Sequence, residues 1–427
     1  MRSPVNEIIE FNKVLLGPER RVHAQDGREL TAEAMGKKLE ALAKGAFPFF
    51  RGTFHLMARD LLQQRVPLAQ ALAPEGLIVG DLHLENFGAY RGSSGQRCFD
   101  VNDFDDVGFG PVDLDLKRLC TSAMLLPGLD AGARTAASKA IAHGWLEGIV
   151  RMGGRFPVRP LTADKAEPPV KELLAAHTGK PIAALDPPKS VAVEPRWTTV
   201  VEAAIEEWRQ NLEQLKAEVP KGKVEGVAYR FRGTGSLGRL RFWAVLGHGE
   251  GKHVVELKEA RPSQLDACRL APGGAGRPSP AGAHVSNPAG LRARMQAASI
   301  RRLQGDPWPS IAGTHLNELP ALARLIEPDD EKIASDRFAG PKSTKEELIA
   351  YAGQCGEVLA RIHVRESAPQ LLSAGWDAKA AADGAVEFAK GYAKTVEADF
   401  AAFVKAAAHV RGDLGLQPGA APSRTAP

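Results

Sequence analysis

Apolar residues recur at helical spacing through residues 31–64, on both sides of an interruption at Phe47-Pro48-Phe49-Phe50. The short apolar run Leu77-Ile78-Val79 predicts a buried strand, followed by a loop over Gly80–Gly88. Cys98–Val101 reads as the hairpin partner of that strand, and an acidic turn follows it. The helical period returns from Asp113 to about Gly154, over 198–219, over 289–303 and from 344 to 410. Between these helices, Val227–Arg232, Arg239–Gly247 and His253–Glu259 read as strands, the last two joined by Gly247–Gly251, with another strand near 312–318. Residues 155–196 are punctuated by prolines and read as a surface connection, while 271–290 is too rich in glycine and proline for a packed element. The tail from Leu414 to Pro427 is expected to be disordered, and no internal repeat is present.

Composition narrows the class. The chain has 427 residues, 44% apolar and 25% charged, which is ordinary for a folded globular protein and excludes whole-chain disorder or a disulfide-stapled mini-scaffold. Lys and Arg number 55 against 51 Asp and Glu, and only 6% of residues are aromatic, so neither a basic groove nor a base-stacking surface is expected. Nucleic acid is therefore not an expected partner. Cys98, Cys120, Cys268 and Cys355 are far apart without a C-x-x-C pair and read as reduced thiols. No run of about 18 apolar residues suggests a membrane span. Glu7 and Glu10 lie where a signal peptide would be basic and then apolar, so a cytoplasmic location is expected.

The densest chemical signal is GDLHLENFG at 80–88 with FDVNDFDDVGFGPVDLDLKRL at 99–119. Asp81 and Asn86 lie five residues apart, and an Asp-Phe-Asp turn, Asp103 to Asp105, follows a predicted hairpin. Metal-assisted phosphoryl transfer needs these groups: one carboxylate to take a proton from an attacking hydroxyl, and an amide oxygen with a second carboxylate to hold magnesium. Both spacings correspond to kinase signatures. Aspartate and asparagine also favour ordinary turns, so either half alone says little.

A second signal lies at 230–246, RFRGTGSLGRLRFWAVL, where Gly233, Gly235 and Gly238 form a G-x-G-x-x-G containing Thr234 and Ser236. Glycine allows backbone N–H groups to approach phosphate oxygens. A dinucleotide fingerprint would open a helix, whereas this one leads into a strand. Lys258 follows in the strand-like VVELK, and an ammonium in an apolar strand needs either a phosphate partner or the solvent face of an edge strand.

Taken together, these pieces resemble the protein-kinase-like fold, especially small-molecule kinases of the aminoglycoside and choline phosphotransferase type. GDLHLEN and NDFDD match that pattern, except that Val79 stands where those enzymes usually carry a histidine. More closely, FPFFRGT, GDLHLENFG, FDVNDFDDVGFGP, DLDLKRL, GTGSLG, LKEA and LARIHVR resemble the bacterial family catalogued as domain of unknown function 2252, over roughly residues 40–405. The glycine loop and lysine follow the catalytic loop instead of preceding it, so the chain reads as circularly permuted, a rearrangement that surface termini tolerate. The resemblance implies an α+β, two-lobed fold. Residues 1–155 would begin the helical lobe, 156–196 connect, 197–335 form the small β-rich lobe, 336–412 complete the helical lobe, and 413–427 trail as a tail. Residues 344–410 must then pack back against 1–150.

By the same resemblance, Asp81 is the catalytic base, Asn86 and Asp103 are metal ligands, and Asp105 is a second metal candidate. Lys258 meets phosphates beneath the Gly233–Gly238 loop. His83 orients substrate or stabilises its loop, and Asp115 braces that loop. Arg51 either binds phosphate or substrate, or pairs with the acidic loop. Lys117 and Arg118 read as a solvated helix face with one structural pair. Kinases pair the strand lysine with a helix glutamate, yet residues 260–317 contain none, leaving Asp266 as a substitute if its helix leans inward. The leading expectation is an ATP- and magnesium-dependent phosphotransferase acting on a small hydroxylated molecule, with a protein acceptor as a further option. Rival expectations are a nucleotide-binding module without turnover, transfer of AMP, and a metal hydrolase built on Asp81, His83, Asp103 and Asp105.

Overall fold

The computed structural model describes residues 3–63, 74–152, 160–176, 189–231, 233, 237–248, 251–270, 289–326, 331–341, 343–371 and 376–416. Helices and antiparallel sheets are mixed in an α+β arrangement. The chain opens with α1 (Pro4–Lys13) and α2 (Leu30–Leu42), followed by α3 (Ala46–Gly52) and α4 (Phe54–Leu62). The expected interruption at Phe47–Phe50 is itself helical, because Pro48 sits in the first turn of α3, where its missing N–H has no partner to lose. The break lies instead at Ala43–Gly45.

Next come β1 (Glu75–Ile78), β2 (Phe87–Arg91), β3 (Arg97–Val101) and β4 (Gly108–Pro111). The predicted pairing of the first strand with Cys98–Val101 is corrected here: β3 pairs with β2, and β1 pairs with β4. The reason is that Phe87–Arg91, which begins within the expected Gly80–Gly88 loop and runs past it, is a buried strand with a short connection to β3. Helices α5 (Asp113–Met124), α6 (Ala131–Met152) and the short α7 (Val170–Ala175) follow.

The second half is dominated by one six-stranded antiparallel sheet. Its members are β5 (Ser190–Ala192), β6 (Lys223–Arg230), β7 (Arg241–His248), β8 (Gly251–Glu259), β9 (Ala312–Leu316) and β10 (Leu319–Ile326), in the order β5-β6-β7-β8-β10-β9. Helix α8 (Pro195–Gln214) precedes β6, while α9 (Gln264–Leu270) and α10 (Ala289–Leu303) separate β8 from β9. Strand β8 is central, flanked by β7 and β10, so Lys258 does not lie on an edge. A two-residue strand, β11 (Glu331–Lys332), pairs with β2. The chain then forms α11 (Lys345–Leu371), α12 (Ala378–Lys405) and α13 (Ala407–Asp413).

Two large apolar cores result. One face of the sheet, with Phe242, Leu257 and Ala323, closes over Trp197 and Trp208 of α8 and over Leu30 and Ala34 of α2. The other core joins α3–α6 to the C-terminal helices: α11 packs against α6, and α12 packs against α5, α6 and α3. Gly144 and Gly356 make the α6–α11 approach possible, since a Cβ on either would meet the other helix's backbone at 2.2 and 2.1 Å. All four cysteines are buried free thiols. Among the described residues, no helix is long and apolar enough to cross a membrane.

Candidate functional site

Asp81 stands on a loop held from below. Gly80 adopts φ +88°, and a Cβ there would meet the Asp106 carbonyl oxygen at 2.3 Å, so the loop requires glycine at this position. Asp115, from the first turn of α5, accepts the N–H groups of Val79 at 2.7 Å and Gly80 at 2.9 Å. His363 of α11 lies 3.5 Å from the same carboxylate, and its Nδ1 accepts the Trp145 indole N–H at 3.0 Å. With Nδ1 accepting, Nε2 carries the proton and faces Asp115. The LARIHVR segment thus braces a loop almost 280 residues earlier in the chain.

Arg118, on the next turn of α5, donates from Nε to Asp81 Oδ1 at 3.0 Å and pairs with it through Nη2 as well. Its guanidinium lies over the rings of Phe50 and Phe54 and donates to the Phe50 carbonyl. The solvated face expected for Lys117 and Arg118 is therefore wrong. Both side chains are buried, because α5 is covered by α6 and α12, and each has a carboxylate partner in Asp113 and Asp81. Burial pushes the Asp81 carboxyl up to about 6, a rise that the Arg118 charge opposes and the Asp106 and Asp103 charges reinforce.

His83 and Asn86 close the loop on itself. Asn86 Oδ1 accepts the His83 backbone N–H at 2.7 Å. Arg51 donates from Nε to His83 Nε2 at 3.2 Å and pairs through Nη1 with Glu85, which in turn accepts the Ser335 N–H. The imidazole is buried and held neutral, first by burial and then by the Arg51 charge. Of the two expected roles of Arg51, the pairing with the acidic loop is present, through Glu85, and Arg51 also lines the cleft described next.

The acidic turn and the sheet meet at Lys258. Its Nζ is 3.8 Å from Asp103 Oδ1 and is also paired with Asp105. Burial and mutual repulsion raise one carboxyl of this pair, Asp105, while the charges of Lys258, Lys332 and Arg241 outweigh burial and hold Asp103 well below the carboxylate range. Asp106 is tied to Arg239 at 3.3 Å and accepts both the backbone and side-chain N–H of Gln264 at 2.8 Å. The substitute role for Asp266 is not realised: its carboxylate pairs with Ser263 and Arg269, because α9 packs on α4 away from the lysine. On helix α10, Gln296 donates from Nε2 to the Phe104 carbonyl at 2.9 Å.

These groups border an open-mouthed cleft with about 930 Å³ of empty space, its mouth included. It gathers Arg51, Asp103, Asp105, Gly233 and Lys258, while Asp81, His83, Asn86 and Gly238 do not line it. Gly233 and Gly238 adopt φ +80° and +92°, and the Leu237 N–H returns to the Gly233 carbonyl at 3.1 Å. Thr234, Gly235 and Ser236 lie outside the described residues. Among the described residues, no three His, Cys, Asp or Glu side chains gather as a metal cluster.

A family model covers residues 30–151 and 158–406, and its description reads uncharacterized protein conserved in bacteria. The chain belongs to domain of unknown function 2252. No curated protein and no solved structure matches it. Every residue of the candidate site falls within the stretches shared with domain of unknown function 2252.

Within this family member, several cleft residues escaped the sequence reading: Arg241, Glu256, Arg324, Lys332 and Trp308. Arg241 and Glu256 lie 3.6 Å apart, and Glu256 also accepts the Trp243 indole N–H at 3.1 Å. Two-residue alternation was the available signal, since Glu256 shares the Lys258 face of β8. Arginine and glutamate on a strand ordinarily mark its solvent side, so alternation alone does not place them in a cleft. Cations predominate in the cleft: Arg51, Arg241, Lys258, Arg324 and Lys332 outnumber Asp103, Asp105 and Glu256.

Proposed function

We propose that this protein transfers a phosphoryl group from a nucleoside triphosphate, with ATP the expected donor, to a small hydroxylated molecule with the help of magnesium. The observation that carries this reading is Lys258 against Asp103 and Asp105 in a cationic cleft beside Gly233. The glycine turn joins β6 to β7 and the lysine stands on the following strand, the arrangement in which kinases hold phosphates. An excess of cations suits a polyphosphate.

The donor set fits magnesium. Asp103 and Asp105 supply hard oxygens, and the Asn102 side-chain oxygen is buried beside them without a hydrogen-bond partner. Asn86, the amide expected from the sequence, accepts the His83 N–H with its oxygen. When bound there, the metal would offset the charge of the phosphate oxygens. Lys258 would exchange its carboxylate partners for phosphate, and Arg51, Arg241 and Lys332 would position the rest of the chain of phosphates.

Asp81 is the base in this reading. It takes the proton of the acceptor hydroxyl, whose oxygen forms the new P–O bond as the bond to the departing diphosphate breaks. Arg118 occupies Asp81 Oδ1 and so turns the other oxygen toward the acceptor. Its charge also keeps the carboxylate ionised near neutral pH, against the effect of burial.

A second reading, a nucleotide-binding module without turnover, is favoured by one observation: Asp266, the acid expected to substitute for the lysine-pairing glutamate, pairs with Ser263 and Arg269. Turnover of nucleoside triphosphates by the full chain, with Asp81→Asn alongside, separates the two. A transferase loses activity in the variant while nucleotide binding persists; a binding module shows no turnover in either form. The mass gained by the acceptor distinguishes phosphate from AMP transfer.

A further inference from the structure

Arg239 directly follows Gly238 at the end of the glycine turn; it is buried and does not line the cleft. Its guanidinium donates through Nη1 to the Asp105 carbonyl at 3.2 Å and through Nη2 to Asp106 Oδ2 at 3.3 Å. Nη1 also lies 3.9 Å from Asp105 Oδ2. Asp105 is thus held by two cations, Lys258 in the cleft lining and Arg239 outside it. The mount of Arg239 is stiff. Its carbonyl accepts the Tyr229 hydroxyl at 3.4 Å. The next residue, Leu240, donates its N–H to Glu259 Oε2 at 3.2 Å and accepts the Glu259 N–H at 2.8 Å, beside Lys258. The rest of the acidic turn is held from α9 and α10: Gln264 binds the Asp106 carboxylate, Gln296 the Phe104 carbonyl, and Arg292 the Val107 carbonyl at 3.3 Å.

Resting on the transfer reading above, we infer that Arg239 is a positioning residue for the metal: it holds the Asp103–Asp105 turn in its metal-binding shape once Lys258 has moved to phosphate. Asp103 and Asp105 repel each other, and Lys258 offsets that repulsion while it pairs with both. A phosphate that draws Lys258 away removes the offset just as the two carboxylates are needed side by side. Arg239 is not drawn away with it, because it does not line the cleft, so its hold on the Asp105 carbonyl and the Asp106 carboxylate persists. The planar fork of a guanidinium reaches a carbonyl and a carboxylate at once, which the single head of a lysine cannot do. Arg239 touches neither metal nor phosphate in this account; it acts through the turn, as the outer partners of metal ligands do.

The test is titration calorimetry on the full chain with inorganic tripolyphosphate, with and without magnesium. The unmodified chain is expected to bind the probe more tightly when magnesium is present. Arg239→Gln should cut that magnesium-dependent gain about tenfold, the usual effect of losing an outer partner of a metal ligand, and leave metal-free affinity within about twofold. Arg239→Lys keeps the charge but reaches one acceptor, so it should cut the gain by about threefold. The lysine variant decides the matter if the glutamine variant does not fold. A merely structural role would lower the urea midpoint and leave the gain intact. A full gain in the deciding variant overturns the assignment and leaves the transfer reading standing, as does an equal loss of affinity with and without magnesium. An unmodified chain that does not bind tripolyphosphate, or gains nothing from magnesium, overturns the transfer reading, and the role of Arg239 falls with it.

Discussion

Arg118 Nε lies 3.0 Å from Asp81 Oδ1, joining a helix to the loop that presents the candidate base. Neither partner is free in solvent, since the guanidinium is fully buried between two phenylalanine rings. Arg118→Met keeps much of the stacked volume but leaves Asp81 without its cation. Removing one member of a buried pair costs about 3–5 kcal/mol, so urea unfolding should shift to lower denaturant by that amount. A loss below about 1 kcal/mol would mean that the pair is solvent-screened and not structural.

Asp81 also sets a pH dependence with a definite sign. Burial raises its carboxyl from 3.8 to about 6 against the pull of Arg118, so the folded chain keeps this proton where the unfolded chain has lost it. Its stabilising contribution is full below pH 4 and is lost as pH rises through 6. Unfolding free energies of the unmodified chain and Asp81→Asn, compared across that window, should show the unmodified chain losing ground as pH rises. Turnover should rise over the same range as the base ionises. A stability difference that stays flat from pH 4 to 7 would contradict the assignment.

Asp115 is the anchor of the same loop. Asp115→Ala leaves the buried N–H groups of Val79 and Gly80 and the His363 imidazole without an acceptor. A loss of about 3 kcal/mol is expected, read by urea unfolding, because stranded buried donors each cost about 1–3 kcal/mol. His363→Ala removes only the outer partner and should cost less. Equal losses in the two variants would show that the histidine, and not the backbone bracing, carries the effect.

Much of the architecture was written locally. Helix α10 matches the apolar spacing over 289–303, and β7 and β8 flank a glycine-rich connection as expected. Strand β10 was missed because LPALARLI carries a proline at its second position and an arginine further on, features that argue against a central strand. Asp103, Asp105 and Lys258 were legible as residue types at recognisable spacings, and their meeting in one cleft follows from the fold. Arg118 and Glu256 were not legible, because a charged residue in a helix or strand signals solvent until its neighbours are known. Their partners stand on other segments, and sequence periodicity carries no information about that.

The most direct measurement is a thermal-shift panel of nucleoside triphosphates, with and without magnesium, on the unmodified chain, Lys258→Met and Asp103→Asn. A triphosphate at a hundredfold excess over its dissociation constant should stabilise the unmodified chain by about 2.7 kcal/mol, with magnesium enhancing the effect. Lys258→Met should lose most of that stabilisation, and Asp103→Asn should lose its dependence on magnesium. Melting temperatures of the unmodified chain that do not move with any triphosphate, metal present or not, would contradict the account.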